Sequence, residues 1–246
     1  MLFDLGLAGL IWMAAVVFIA AFIRGYSGFG YSAIVIAGST VVMNPLHLVA
    51  AVAVLEFVMS MQAWRGAGKD IDWRRVLLLL AGAAIGLPLG LWALTAISED
   101  AARAVISGYV LVMCIVLLAG WRLPLQVRGG GNAAVGVVSG MANAPGMGGL
   151  PVAAFFAAQP MQAEVFRATL IAYFPLLDLY SGPLYWAHGL VGWGTLWAAL
   201  WGLPLTVLGN WMGGRHFFGT DPQEFRRFSI LLLATLAALG LGKALL

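Results

Sequence analysis

Two glycine-rich segments interrupt the apolar stretches of this sequence, and both carry hydrogen-bonding side chains. Their small and polar members are Arg24, Ser27, Gly28, Gly30 and Ser32 in the first segment, and Ser139, Asn143, Gly146, Gly148 and Gly149 in the second. Glycine lets a backbone turn sharply, and a helix that restarts at depth presents free N–H groups to an anion. We expect the two breaks to face each other and form one anion site. The alternative is that these glycines only pack membrane helices closely.

Four charged residues fall within or beside the apolar runs, where a charge is costly and usually faces a partner or the interior. Arg24 and Arg167 are candidate contacts for an anionic substrate. Arg24 could instead anchor the membrane surface or neutralise a carboxylate, and Arg167 could pair with Glu164 three residues earlier. Glu56 and Asp178 are candidate proton-coupling groups, with structural pairing to an arginine as the alternative.

The composition assigns the chain to a membrane. Of its 246 residues, 62% are hydrophobic and only 9% are charged, whereas soluble domains carry about 25% charged residues. Apolar runs near the length of a bilayer span recur along the chain, and in lipid such runs must be helical. We therefore expect an all-α, multi-pass protein of the cell (inner or plasma) membrane. The small net charge of +3 gives no reason to expect a nucleic-acid partner.

Motifs for catalysis or cofactor binding are missing from the sequence. The single cysteine, Cys114, lies in an apolar run, and the three histidines, His47, His188 and His216, fall near predicted loops without metal-ligand spacing. The sequence has neither a phosphate-binding P-loop nor a nucleophile elbow. We expect no enzymatic activity, no catalytic residue, no metal and no cofactor.

Landmarks of the first half recur in the second half in the same order. The pairs are Asn44-Pro45 with Gln159-Pro160, Gly86-Leu87-Pro88-Leu89 with Gly202-Leu203-Pro204-Leu205, and Ser98-Glu99-Asp100 with Thr220-Asp221-Pro222. Together with the two breaks, they indicate a duplicated unit. We predict a first repeat over 1–121, a cytoplasmic linker over 122–131 and a second repeat over 132–246, all in one membrane domain.

Loop charges predict that the two repeats have opposite orientations in the membrane. Arginine and lysine favour the cytoplasmic side, which places 65–75, 122–131 and 213–227 inside. The acidic turn 98–100 and the neutral turn 188–190 then lie outside. The pattern holds if each repeat has three full crossings, the last over 228–245, and one broken segment that returns to its own side. Such inverted-topology repeats are common in secondary transporters.

These motifs resemble those of the TauE/SafE family of sulfite exporters, also called the TSUP family. The matching segments are Arg24-Gly25-x-x-Gly28-Phe29-Gly30, Ser139-Gly140 with Pro145-Gly146-x-Gly148-Gly149-x-Pro151, and Phe166-Arg167-Ala168-Thr169. The resemblance covers nearly the whole chain. It implies a plasma-membrane carrier of small sulfur-containing anions, with the two breaks as the anion site and Arg24 and Arg167 as its charge partners.

The function expected from residues and resemblance together is secondary transport. A small anion such as sulfite, thiosulfate or an organosulfonate like sulfoacetate would cross the membrane by alternating access, with protons as a candidate coupling ion. An anion channel of the same architecture and a carrier for a non-sulfur carboxylate are the alternatives. Association into a homodimer is left open.

Overall fold

The computed structural model describes residues 5–64, 69–127 and 129–216, and the regular elements in these ranges are helices. The α-helices are α1 (Leu7–Ser27), α2 (Tyr31–Ser39), α3 (Val49–Trp64), α4 (Trp73–Thr95), α5 (Glu99–Ala119), α6 (Gly130–Asn143), α7 (Gly149–Ala157), α8 (Ala163–Ala187) and α9 (Trp193–His216). A 3-10 turn at Pro45–Leu48 leads into α3. The predicted turn 220–222 and final crossing 228–245 lie outside the described residues.

Four of the described helices are long and apolar enough to cross a membrane. They are Leu7–Ser27, Pro45–Trp64, Trp73–Thr95 and Asp100–Ala119. Helices α8 and α9 have 25 and 24 residues, which at about 1.5 Å per residue exceeds the roughly 30 Å of a hydrocarbon core. The prediction of an all-α integral membrane protein is confirmed.

Polar side chains fix where several helices begin. The Asn44 side chain accepts the N–H of Leu46 ahead of α3, and Asp72 accepts the N–H of Arg75 at the start of α4. Ser98 accepts the N–H of Ala101 at the start of α5. Each oxygen satisfies an amide that the helix itself leaves unpaired. The starts of these three helical segments are therefore specified by the residues immediately before them.

Helices of the first half pack against helices of the second half. Helix α1 of the first half packs against α9 of the second, and α6 of the second half packs against α4 of the first. Helices α3 and α8 also pack against each other across the two halves. These pairs correspond if α6 to α9 repeat α1 to α4, so the packing has the form that a two-fold relation between repeats produces. The repeat boundaries and the opposite orientation of the halves stay predictions.

Glycines allow the backbones of these paired helices to touch. A Cβ atom on Gly82, Gly86 or Gly90 of α4 would overlap the carbonyl oxygen of Ala133, Val137 or Met141 of α6, respectively. The α1–α9 contact repeats the arrangement, because a Cβ on Gly213 would overlap the Phe22 carbonyl. Small residues allow such close approach, which is how membrane helices gain packing energy without a hydrophobic driving force.

Gly86→Ala is expected to destabilise the protein by about 1–3 kcal/mol, because the added methyl group forces α4 and α6 apart. Gly108→Ala is the matched control, since a Cβ at that position on α5 meets nothing within 4 Å. It should be neutral or stabilise by about 0.5–1 kcal/mol, as alanine is the better helix former. Thermal unfolding of the detergent-purified variants measures both effects. Equal stability of the two variants would contradict the close packing.

Candidate functional site

The first break is a helix end and a helix start separated by left-handed glycines. Gly28 ends α1 with φ 82°, and its N–H donates to the Arg24 carbonyl at 2.7 Å. Gly30 precedes α2 with φ 94°. Side chains other than glycine rarely adopt this region, so both glycines are needed to turn the chain within three residues. The Ser27 hydroxyl closes the turn by donating to the carbonyls of Ile23 and Phe29.

Arg24 lies at this turn and is buried, with 4% of its surface exposed. Its Nη1 donates to Oε1 of Glu56 in an ion pair, and its Nη2 donates to the Ser60 hydroxyl at 2.6 Å. Glu56 and Ser60 are one turn apart on α3, so one helix face supplies both partners. Ser32, on α2, is a further hydrogen-bonding neighbour of the Glu56 carboxylate. The arginine is therefore an interior charge with a carboxylate partner and not a surface anchor.

Arg167 approaches the same turn from α8. Its Nη2 donates to the Gly25 carbonyl at 3.2 Å. A Cβ on Gly28 would lie 3.2 Å from Cγ of Arg167, so the missing side chain makes room for the arginine stem. Glu164, the alternative partner considered for Arg167, lies exposed near the start of α8. The first break thus brings Arg24 and Arg167 to one place.

A cavity of about 310 Å³ opens beside these two arginines. It is lined from α1, α3, α8 and α9 by Arg24, Gly25, Gly28, Met59, Gln62, Ala63, Arg167, Ile171, Asn210, Trp211, Gly214 and Arg215. Three of these residues are cationic and none is a carboxylate. Asn210 donates to the Gln62 side chain at 2.9 Å, and the Arg215 guanidinium stacks on Trp211 at 4.0 Å from the ring centroid. The lining suits an anion with hydrogen-bond acceptors.

The second break lies in a different part of the fold. The Ser139 hydroxyl is 2.6 Å from the Gly148 carbonyl and 2.7 Å from the Tyr173 hydroxyl. Gly146 turns the chain with φ 79°, next to Ile36 and Val49 of the first half. The second break contributes none of the lining of this cavity, and neither do Ser27, Gly30 and Ser32. Of the predicted site residues, Arg24, Gly28 and Arg167 are those that meet at the cavity.

Phe174 of α8 lies between the two breaks. Its ring centroid is 5.0 Å from the Arg24 guanidinium carbon. A Cβ added to Gly149, the first residue of α7, would lie 3.0 Å from ring atoms Cε1 and Cζ. The ring thus fills the space that separates the first break from the second.

The two candidate coupling acids have different surroundings. Glu56 is held by Arg24, as described above. Asp178 is 8% exposed, and its Oδ2 atom has no hydrogen-bond partner among the described residues. An interior carboxyl oxygen without a partner is costly. Of the two acids, Asp178 is therefore the one with a buried carboxyl oxygen that can still accept a hydrogen bond.

The sequence did not identify several residues around the cavity as site residues. Four of them line it, namely Gln62, Asn210, Trp211 and Arg215. Ser60 and Phe174 do not line it but contact Arg24. Gln62 and Asn210 had a signal, because amides inside apolar runs are unusual. Trp211 and Phe174 had none, since aromatic residues in such runs are normally lipid-facing or core. Among the described residues, no three His, Cys, Asp or Glu side chains converge as metal ligands.

Comparison with known proteins identifies the family. A family model described as "Sulfite exporter TauE/SafE" matches residues 13–240 of this chain. The chain belongs to the TauE/SafE family. Comparisons with curated proteins and with solved structures found no significant match. Because the match spans nearly the whole sequence, the TauE/SafE assignment applies to both halves, and it makes the chain a membrane transport protein.

Glu56→Ala is expected to destabilise this TauE/SafE protein by about 3–5 kcal/mol, because it leaves the buried Arg24 guanidinium without its counter-charge. Gln62→Ala is the matched control on the same helix, since Gln62 is exposed to the cavity. The double variant Arg24→Met/Glu56→Leu should recover most of the loss, because it removes both charges. Thermal unfolding in detergent measures all three. A double variant no more stable than Glu56→Ala would contradict a simple structural pair.

Proposed function

We propose that the protein is a secondary transporter that moves a small sulfur-containing anion across the plasma (inner) membrane by alternating access. Candidate substrates are sulfite, thiosulfate and organosulfonates such as sulfoacetate. The observation that carries the proposal is the cavity at the first break, which Arg24, Arg167 and Arg215 line and where none of the described lining residues is a carboxylate. Membership of a sulfite exporter family supports the same conclusion.

The anion binds where the two interior arginines meet. Arg167 provides charge-assisted donors over the glycine turn, and Gln62 and Asn210 provide neutral amide contacts. Arg24 contributes positive potential while its ion pair with Glu56 holds the guanidinium in place. Both conditions for an intramembrane anion site are then met: the charge of the ligand has partners, and the arginines remain partnered when the site is empty.

The cavity faces the predicted cytoplasmic side. Its residues Gln62 and Ala63 stand at the end of α3, and Gly214 and Arg215 stand at the end of α9. Both helices lead into basic segments that the charge rule places inside. This arrangement corresponds to an inward-open form, and movement of one repeat against the other exposes the anion to the outside.

Protons are the coupling ion in this proposal, and Asp178 is the residue that binds them. Its unpartnered carboxyl oxygen lies on the same helix as Arg167 and Ile171, two cavity residues. Proton binding at an interior acid links the anion equilibrium to the pH gradient. Glu56 is the second candidate for this role, although its carboxylate is held by Arg24.

Flux through proteoliposomes tests the function directly. Labelled sulfite, thiosulfate and sulfoacetate are offered in turn, and we expect saturable uptake of at least one that unlabelled anion on the opposite side accelerates. Such exchange separates a carrier from the alternative of a channel, which gives conductance without counter-transport. A non-sulfur carboxylate of similar size tests the other alternative. Absence of saturable flux for every anion would overturn the proposal.

Arg167→Ala is expected to raise the KM for the transported anion by about 10- to 100-fold, which corresponds to losing one charged hydrogen-bonding group. Arg103→Ala is the matched control, because that arginine lies on α5 and does not line the cavity. Initial rates over a range of anion concentrations measure the change. An unaltered KM in the Arg167 variant would exclude this arginine from anion binding.

Asp178→Asn is expected to abolish uptake driven by an imposed pH gradient while exchange of anion for anion continues, because asparagine cannot carry the proton. Glu56→Gln is measured beside it to decide which acid couples. Both readouts come from the same vesicles, so poor reconstitution is recognised by loss of exchange. Gradient-driven accumulation that persists in the Asp178 variant would refute coupling through this residue.

A further inference from the structure

One face of α8 runs from the arginine cavity toward the second break. Arg167, Ile171, Phe174 and Asp178 are spaced by four, three and four residues, which places them on the same side of a helix. Arg167 and Ile171 line the cavity, and the deeper Phe174 and Asp178 do not. The order along this face is thus cavity, aromatic ring and buried acid.

Phe174 lies directly behind Arg24, which lines the cavity. Its side chain is 3% exposed and is packed between the Arg24 guanidinium, 5.0 Å from the ring centroid, and the start of α7 at Gly149. Glycine at 149 lets the ring edge reach the backbone, because a Cβ there would be only 3.0 Å from Cε1 and Cζ.

The second break carries an unsatisfied donor. The Nδ2 atom of Asn143 is buried and has no hydrogen-bond partner in the described part of the chain, and the residue is 5% exposed. Its position relative to α8 is fixed by Tyr185, whose hydroxyl donates to the Asn143 carbonyl. Tyr185 lies two turns beyond Asp178, on the side of Phe174 away from the cavity. A buried donor without an acceptor costs free energy, and an oxyanion would supply the acceptor.

We propose that Phe174 is the barrier between the arginine cavity and a second anion position at Asn143, and that the anion crosses when this ring moves aside. The proposal deepens the proposed transport function and rests on it. Pro175 follows Phe174 directly and lacks the N–H that would bond the Ile171 carbonyl. Helix α8 therefore loses one backbone hydrogen bond beside the ring, which lowers the cost of a local rearrangement.

Cysteine labelling in membrane vesicles tests the barrier. The chain has one cysteine, so Cys114→Ala gives a background without thiols. Asn143→Cys and Ala63→Cys are introduced separately, and inside-out vesicles receive 2-sulfonatoethyl methanethiosulfonate, an anionic reagent that does not cross lipid. We expect fast labelling at position 63, which lines the cavity, and slow labelling at position 143. Minor open states are populated at roughly 0.1–10%, so the two rates should differ at least about 10-fold.

Phe174→Ala should raise the labelling rate at position 143 by about 10-fold or more, to approach that at position 63. Phe156→Ala is the matched control, because Phe156 is a buried ring of the same core cluster and lies beside a different arginine, Arg75. It should leave position 143 slow. Since Phe174→Ala removes a buried ring, Phe174→Leu is measured in parallel and decides the outcome if the alanine variant does not fold. Leucine is narrower than the ring and must also accelerate labelling.

Two results would overturn the barrier: equal labelling at positions 63 and 143 with Phe174 intact, or a rate at position 143 that no Phe174 substitution changes. Acceleration by Phe156→Ala as well would also overturn it, because the effect would then be general loosening. Labelling requires no transport. Failure of anion flux with labelling that depends on Phe174 therefore refutes the transport function alone, and flux with labelling independent of Phe174 refutes the barrier alone.

Discussion

The cost of placing a guanidinium inside a membrane protein governs the arrangement of the first half. Arg24 needs a counter-charge, and Glu56 supplies it from α3, with Ser60 one turn later as a second acceptor. That requirement fixes the end of α1 against the middle of α3. Gly28 and Gly30 then turn the chain away from the arginine, so that α2 begins beside the same carboxylate. The cavity lies where this part of α1 and α3 faces α8 and α9.

The second break differs from the first in its polar groups. Its break has no arginine, and its polar groups are mostly satisfied internally, as with Ser139, Gly148 and Tyr173. Asn143 is the exception, with a buried amide that lacks a partner. The two breaks therefore differ in charge: the first carries the buried Arg24, and the second carries uncharged polar groups.

Much of the architecture follows from local sequence, and the site does so only in part. Apolar runs, proline stops and capping residues such as Asp72 and Ser98 predict helices because their effects act within one turn. The sequence also predicts that Arg24 needs a partner. It does not select Glu56 over Asp178, since that choice depends on how α1 packs against α3. Phe174 gives no signal at all, because a phenylalanine in an apolar run looks the same whether it fills a core or separates two polar spaces.

The packing of helices from one half against helices from the other has a consequence for biosynthesis. The glycine-containing face of α1 is covered by α9, which is made near the end of the described chain. Until the ribosome has made α9, the face of α1 that carries the Phe22 carbonyl has no helix packed against it. The α1–α9 and α4–α6 contacts therefore form only after both of their helices have been synthesised. A truncated product would expose to lipid a helix face that pairs readily with other small-residue helices. Synthesis of α9 therefore protects the protein from non-native helix association.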